Sequence, residues 1–98
     1  MDLTVLVVPR CPHAPLLRER LSLALGEPAD AAVTWREITD TADAERLGMH
    51  GSPTLLINGT DPLAPPGQPA SLSCRVGPLP TVEQLRALLA EARGGGAG

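Results

Sequence analysis

The stretch GMHGSPTLLINGTDP, Gly48 to Pro62, limits the possible folds of the chain more than any other segment does. At its centre, Thr54–Ile57 is a short apolar run, which is typical of a strand buried on both faces of a sheet. Asn58-Gly59 follows at once, and this dipeptide is a strong signal for a tight turn. The stretch therefore predicts a central strand that begins directly after Pro53 and ends in a turn.

Strand and helix patterns alternate on both sides of this segment. Because helices join the first three strands, we expect parallel crossovers, with an antiparallel edge strand added by the hairpin. The sequence therefore predicts an α/β fold of order β-α-β-α-β-β-α, with a mixed four-stranded sheet flanked by helices. The expected elements are strand Leu3–Val8, helix Pro12–Leu25, strand Ala32–Ile38, helix Thr41–Leu47, strand Thr54–Ile57, strand Ser71–Val76 and a helix starting near Thr81.

The last helix has its own start and stop signals. Thr81 and Gln84 have the spacing of a capping box, in which each side chain bonds the other residue's backbone N–H. Five residues, Gly94 to Gly98, follow the helical pattern and are expected to be disordered. We therefore expect a single domain over residues 1–93.

Composition excludes several classes of function. The chain has 98 residues and a net charge of -3, so a basic face for nucleic acid is not expected. Trp35 is the only aromatic residue, and we expect it in the core. The sequence shows neither a membrane-spanning run nor a basic secretion signal. We therefore expect no membrane partner and a cytoplasmic location, where thiols stay reduced.

The pentapeptide RCPHA lies at the expected junction between the first strand and the first helix. Pro12 suits the first helical position, which would leave Cys11 near the N-cap. Backbone N–H groups and the helix dipole favour a thiolate there, and Arg10 and His13 can add positive charge. Ala14 stands where a dithiol motif has its second cysteine. We therefore expect Cys11 to be a reactive monothiol.

The element order, the Cys-Pro at this junction and the Ser-Pro-Thr before the third strand together resemble the thioredoxin fold. The resemblance extends from Leu3 to about Ala92. It implies that Pro53 is a cis-proline facing Cys11, and that the backbone of Ser52 and Thr54 binds an extended partner chain. With the proline-rich loop and SLSCR, the chain is also similar to a small group of uncharacterised bacterial thioredoxin-like proteins, some of them linked by name to alkylmercury lyases.

The sequence departs at two places from the thioredoxin-like proteins that it resembles. Cys-Pro-His is similar to the start of the Cys-Pro-His-Cys site of bacterial disulfide-forming enzymes, but Ala14 replaces the last cysteine. Monothiol glutaredoxins are a precedent for exchange with one cysteine. Their double glycine after the last strand is missing here, where RVGPLP stands.

Cys74 is the remaining cysteine. In a thioredoxin fold it would lie on the edge of the sheet near Pro53, two strands from Cys11. That separation is roughly 9–10 Å, whereas the Cα atoms of a disulfide lie within about 7 Å. A shared soft metal ion tolerates more separation. The simpler interpretation is that Cys74 is a small core residue beside Leu72 and Val76.

Three functions remain open at this point. The first is thiol–disulfide exchange by Cys11 with a protein or a small-molecule thiol or disulfide, as a monothiol oxidoreductase. The second is binding of Hg, Cu or Zn through Cys11 and Cys74. The third is a non-catalytic thioredoxin-fold interaction module, since one fold hosts many functions. No cofactor is expected, and the sequence does not set the oligomeric state.

Overall fold

The structure is a computed structural model that describes residues 2–28, 32–62, 69–74 and 79–95. Its elements confirm the α/β class and match most of the expected strands and helices. In chain order they are β1 (Leu3–Val7), α1 (Ala14–Leu25), β2 (Thr34–Glu37), α2 (Thr41–Leu47), β3 (His50–Ser52), β4 (Thr54–Ile57), β5 (Ser71–Cys74) and α3 (Val82–Gly95).

The described strands form two small sheets, so the prediction of one four-stranded sheet was wrong. The larger sheet has the order β2-β1-β4, and the smaller pairs β3 with β5. β1 runs parallel to β2, as expected for a crossover through the twelve-residue helix α1. β4, however, runs antiparallel to β1, with Leu6 opposite Thr54 and Leu3 opposite Ile57.

The direction of β4 brings the two parts of the expected site to one edge of the sheet. β1 and β2 are parallel, so both strands end at the same edge, and α2 follows β2 there. Because β4 is antiparallel to β1, the chain enters β4 at the edge where β1 ends. Both the Cys11 segment and Pro53 lie at that edge.

The predicted antiparallel pairing of the last strand was also wrong. β5 runs parallel to β3, with His50 opposite Ser71 and Ser52 opposite Cys74. β3 was not predicted, because His-Gly-Ser has no apolar alternation. The turn at Asn58-Gly59 is present with positive φ at both residues, and among the described residues the strand after it is limited to the bridge between Ile57 and Thr60. Residues 75 and 76 of the expected strand lie outside the described residues.

Both faces of the larger sheet are covered, as the apolar run of β1 predicted. On one face, Val5 packs with buried leucines of α1 and α3 such as Leu21 and Leu85. On the other face, Leu6 packs in a second cluster with Met49 and neighbouring residues around α2. β1 is therefore held in place from both sides, which fixes the position of the segment that follows it.

The third helix begins as the sequence predicts. Thr81 N–H donates to Gln84 Oε1 at 2.8 Å and Gln84 N–H donates to Thr81 Oγ1 at 3.1 Å, which completes the capping box. α3 extends to Gly95, so it includes two residues of the expected tail, and residues 96–98 lie outside the description. None of the described helices combines the length and the apolar character that crossing a bilayer requires.

Candidate thiol site

A tight turn links β1 to Cys11. The N–H of Cys11 donates to the carbonyl of Val8 at 3.2 Å, which closes a four-residue turn. Pro9 occupies its second position and Arg10, with φ of 62°, its third. This is the pattern of a type II turn, in which proline suits the second position and the third needs positive φ. Cys11 is therefore placed directly past the end of β1.

The prediction that α1 begins at Pro12 was wrong by two residues. The N-cap of α1 is His13, which is half-buried and makes no capping hydrogen bond with its side chain. Pro15 explains the shift, because it has no N–H to close a first helical turn on the Cys11 carbonyl. The N–H of Ala14 donates to that carbonyl instead, at 3.3 Å. Cys11 thus precedes the helix and does not cap it.

Cys11 is 8% exposed and lies in the wall of an open cleft of about 420 Å³ between α1 and β2. Volumes of this order are typical of small-molecule sites. The cleft is lined by Val7, Val8, Arg10, Cys11, Ala14, Pro15, Arg18, Trp35, Arg36 and Glu37.

Arginines dominate the charge of this cleft. The chain contains no lysine, and three of its eight arginines line this one cleft, whose described residues include one acid, Glu37. Arg10 and Arg36 are exposed, and neither has a hydrogen bond or ion pair to the part of the chain that the structure describes. A local positive region therefore lies next to the thiol on a protein whose net charge is negative.

Three arginines elsewhere in the described chain are held by the protein itself. Arg20 donates to the carbonyls of Leu79 and Pro80, Arg46 pairs with Asp43, and Arg86 donates to the Leu23 carbonyl. These three arginines bond other parts of the protein, whereas Arg10 and Arg36 make no such bond to the described residues.

Trp35 forms part of the cleft wall and also packs against the core, so the expectation of a core position is only partly correct. The Arg18 guanidinium carbon lies 4.6 Å from the centroid of its ring, a cation–π contact. The indole Nε1–H is shielded from solvent and has no hydrogen-bond partner among the described residues. The cleft thus combines a thiol, cations and one aromatic face.

The Gly-Ser-Pro-Thr turn is buried and held by its own hydrogen bonds. Ser52 and Thr54 are fully buried, and the peptide bond between Ser52 and Pro53 is cis. The Thr54 hydroxyl donates to the Gly51 carbonyl and accepts from the His50 N–H at 3.3 Å. The side chains of this turn therefore bond within the protein.

The structure divides the site residues expected from sequence into two groups. Arg10 and Cys11 line the cleft, whereas Pro12, His13, Ser52, Pro53 and Thr54 do not. The two groups are joined through Val8, whose N–H donates to Ser52 Oγ at 3.1 Å. Cys74 pairs with Ser52 by strand register, but its side chain lies outside the described part of the structure.

Sequence analysis missed the far wall of the cleft. Arg18 could have been found, because it lies one helical turn from Ala14 and Pro15 and shares their side of α1. Arg36 and Glu37 belong to β2 and become neighbours of Cys11 only when the sheet forms.

Comparisons with known protein families, with curated proteins and with solved structures find no match for this chain. Within the described residues no three His, Cys, Asp or Glu side chains are grouped in a way that could hold a metal ion. What can be said of function therefore comes from the cleft and its thiol.

Proposed function

We propose that the chain is a cytoplasmic, thioredoxin-like protein in which Cys11 acts as a single exchanging thiol. The observation that carries this proposal is the position of Cys11 in the wall of a cleft that also contains three arginines. The cleft gives a disulfide a route to the Cys11 sulfur, and the thiolate is the form of a cysteine that attacks a disulfide. The parallel β1-α1-β2 unit and the return of β4 to the Cys11 edge support the thioredoxin-like part of the proposal.

The exchange needs one external thiol, which forms a new disulfide with the transferred half, because Ala14 removes the local resolving cysteine. In the first step the Cys11 thiolate attacks one sulfur of a disulfide, and a mixed disulfide forms. The other half leaves as a thiolate, which takes a proton from water. In the second step an external thiolate attacks the mixed disulfide, and Cys11 leaves as a thiolate again.

The test is carried out on the Cys74→Ser protein, which retains Cys11 as its only cysteine. Three disulfides are offered in turn: the dianion 3,3′-dithiodipropionate, neutral bis(2-hydroxyethyl) disulfide and cationic cystamine. We expect intact-mass measurements to show one half-disulfide added, and removed again by added thiol. The folded protein should react faster than the same protein in urea for at least one of the three.

The matched control is the protein with both Cys11→Ser and Cys74→Ser, which should gain no mass. The proposal is wrong if urea-unfolded protein reacts fastest with all three disulfides, because Cys11 would then be a shielded and unactivated thiol. That outcome would leave a non-catalytic interaction module as the better interpretation.

A second function, binding of a soft metal ion by Cys11 and Cys74, has one structural observation in its favour. Cys74 is paired with Ser52, whose side chain reaches the backbone of Val8 three residues before Cys11. Ser52 of β3 thus bonds the segment that bears Cys11 and is also the register partner of Cys74. Thiolates select Cu⁺, Zn²⁺ and Hg²⁺.

Competition titration with Hg²⁺ or Cu⁺ tests the metal-binding proposal. We expect affinity to fall by orders of magnitude in both Cys11→Ser and Cys74→Ser if the two thiols bind one ion. Equal affinity of Cys74→Ser and the unaltered chain would exclude the paired site.

A further inference from the structure

We infer that the cleft between α1 and β2 binds a small thiol or disulfide that carries carboxylates, with its sulfur next to Cys11. This inference rests on the proposed function and specifies the substrate class of the same site. It concerns the side of Cys11 that faces β2, whereas the Gly-Ser-Pro-Thr turn lies elsewhere and is buried.

The Gly-Ser-Pro-Thr turn is buried and therefore offers little surface to a polypeptide partner. An extended polypeptide binds by adding a strand to exposed N–H and C=O groups. Every residue from Gly51 to Ile57 is buried, and β3 already pairs with β5. A polypeptide therefore finds no open strand edge at this turn, and the cleft is the open approach to the thiol.

The positive charge of the cleft favours a ligand that carries carboxylates. Arg10 and Arg36 are exposed, line the cleft, and have no partner among the described residues. Guanidinium groups match carboxylates in geometry, through paired N–H···O bonds. Glu37 is the only acid among the described residues of the lining, so this part of the cleft favours an anion even though the chain as a whole is acidic.

The volume of the cleft is suited to a small molecule. A cleft of about 420 Å³ falls within the roughly 300–1,000 Å³ of small-molecule sites. Trp35 lines one wall together with Arg18, whose guanidinium lies over the indole ring, so this wall is both aromatic and cationic. A ligand with a sulfur, a short carbon chain and terminal carboxylates has a group to contact the thiol, the indole and the arginines at the same time.

Trp35 also makes binding measurable without any exchange reaction, because it is the only aromatic residue of the chain. The probes are two thioethers that cannot exchange, dianionic 3,3′-thiodipropionate and neutral thiodiglycol. We expect the dianion to change the tryptophan fluorescence saturably in the Cys11→Ser protein. Thiodiglycol should not do so over the same concentrations.

The arginines are tested with the double variant Arg10→Gln, Arg36→Gln. Each exposed charge pair changes the affinity by a factor of roughly 1.4 to 5, so the double variant should bind the dianion about two- to 25-fold more weakly. Arg46→Gln is the matched control, because it removes the same charge on α2, outside the cleft, and should leave the affinity unchanged. The two substituted arginines are exposed, so the double variant should fold normally.

Exchange rates give a second, independent readout. With Cys74→Ser protein at low salt, 3,3′-dithiodipropionate should react faster than cystamine, relative to their rates with a free thiol. That preference should shrink in the double variant and at high salt.

The inference is overturned if the dianion gives no saturable fluorescence change, if both thioethers bind alike, or if Arg46→Gln weakens binding as much as the double variant does. These failures are distinguishable from failure of the proposed function. Exchange that is fast but indifferent to charge would leave the thiol active and remove only the anionic substrate. Dianion binding without any exchange would leave the binding site and remove the reaction.

Discussion

The hydroxyl oxygen of Ser52 accepts a hydrogen bond from the backbone N–H of Val8 at 3.1 Å. Val8 also supplies the carbonyl that receives the N–H of Cys11. One residue thus connects the buried Gly-Ser-Pro-Thr turn with the segment that bears the thiol. This side-chain bond adds to the pairing of β1 with β4 in holding the two segments together, so Ser52 is a suitable position at which to test the architecture.

Ser52→Ala should lower the free energy of unfolding by about 1–3 kcal/mol, because the Val8 N–H would lose its acceptor beside a fully buried side chain. Urea denaturation measures this. Ser22→Ala serves as the comparison, since the Ser22 hydroxyl donates to its own helix on an exposed surface. Equal effects of the two substitutions would show that the contact between Ser52 and Val8 contributes little.

Thr54→Val should also destabilise, by about 1–2 kcal/mol. The substitution keeps the shape of the side chain but removes a buried hydroxyl that bonds both His50 N–H and the Gly51 carbonyl. Thr34→Val, on the exposed strand β2, is the matched control and should change the unfolding free energy by less than about 0.5 kcal/mol. If the two valine variants unfold at the same urea concentration, the hydroxyl of Thr54 is not needed to hold the turn.

Arg10→Gly should raise the free energy of unfolding by up to about 1 kcal/mol. A left-handed φ costs an L-residue about 1–2 kcal/mol, and Arg10 adopts 62°. Part of this gain is offset by the larger entropy of glycine in the unfolded chain. Arg10→Ala keeps its Cβ and should not gain stability. Thermal unfolding of both variants checks this, and a stabilised alanine variant would contradict the explanation from backbone strain.

Leu21→Ala should cost about 2–5 kcal/mol, since Leu21 has no exposed surface in the core between β1, α1 and α3. Leu23→Ala, two residues further along the same helix, should change stability by about 0.5 kcal/mol or less, because Leu23 is 56% exposed. Both are measured by urea denaturation. Comparable losses would mean that the outer face of α1 is covered in solution.

Local signals predicted the elements of the fold well. α2 and β4 have the boundaries that the sequence indicated, and the reasons lie within a few residues of each end. Asp40 caps α2 through a bond from the Ala42 N–H at 2.7 Å, and Gly48 ends it with φ of 80°. The apolar residues of Thr54–Ile57 were sufficient to predict β4, because a strand buried on both faces has a continuous apolar sequence.

Strand pairing and the cleft could not be predicted in the same way. The partner of β5 is β3, about twenty residues earlier, and no local pattern in His50–Ser52 announces a strand. The antiparallel direction of β4 was not predicted, because the connection from Glu37 to Thr54 has more than a dozen residues and is long enough for either direction. The wall formed by Arg36 and Glu37 depends on the neighbours of β2 in the folded sheet.

The turn at Asn58-Gly59 lies at the edge of the sheet away from Cys11. Asp2 and Asn58 are joined there by two hydrogen bonds: Asn58 N–H donates to the Asp2 carbonyl at 2.7 Å, and Asp2 N–H donates to Asn58 Oδ1 at 2.9 Å. Cys11 follows the opposite end of β1. A fluorophore or a surface anchor joined at this turn would therefore leave the mouth of the cleft unobstructed, and immobilised protein would present its thiol to the solution.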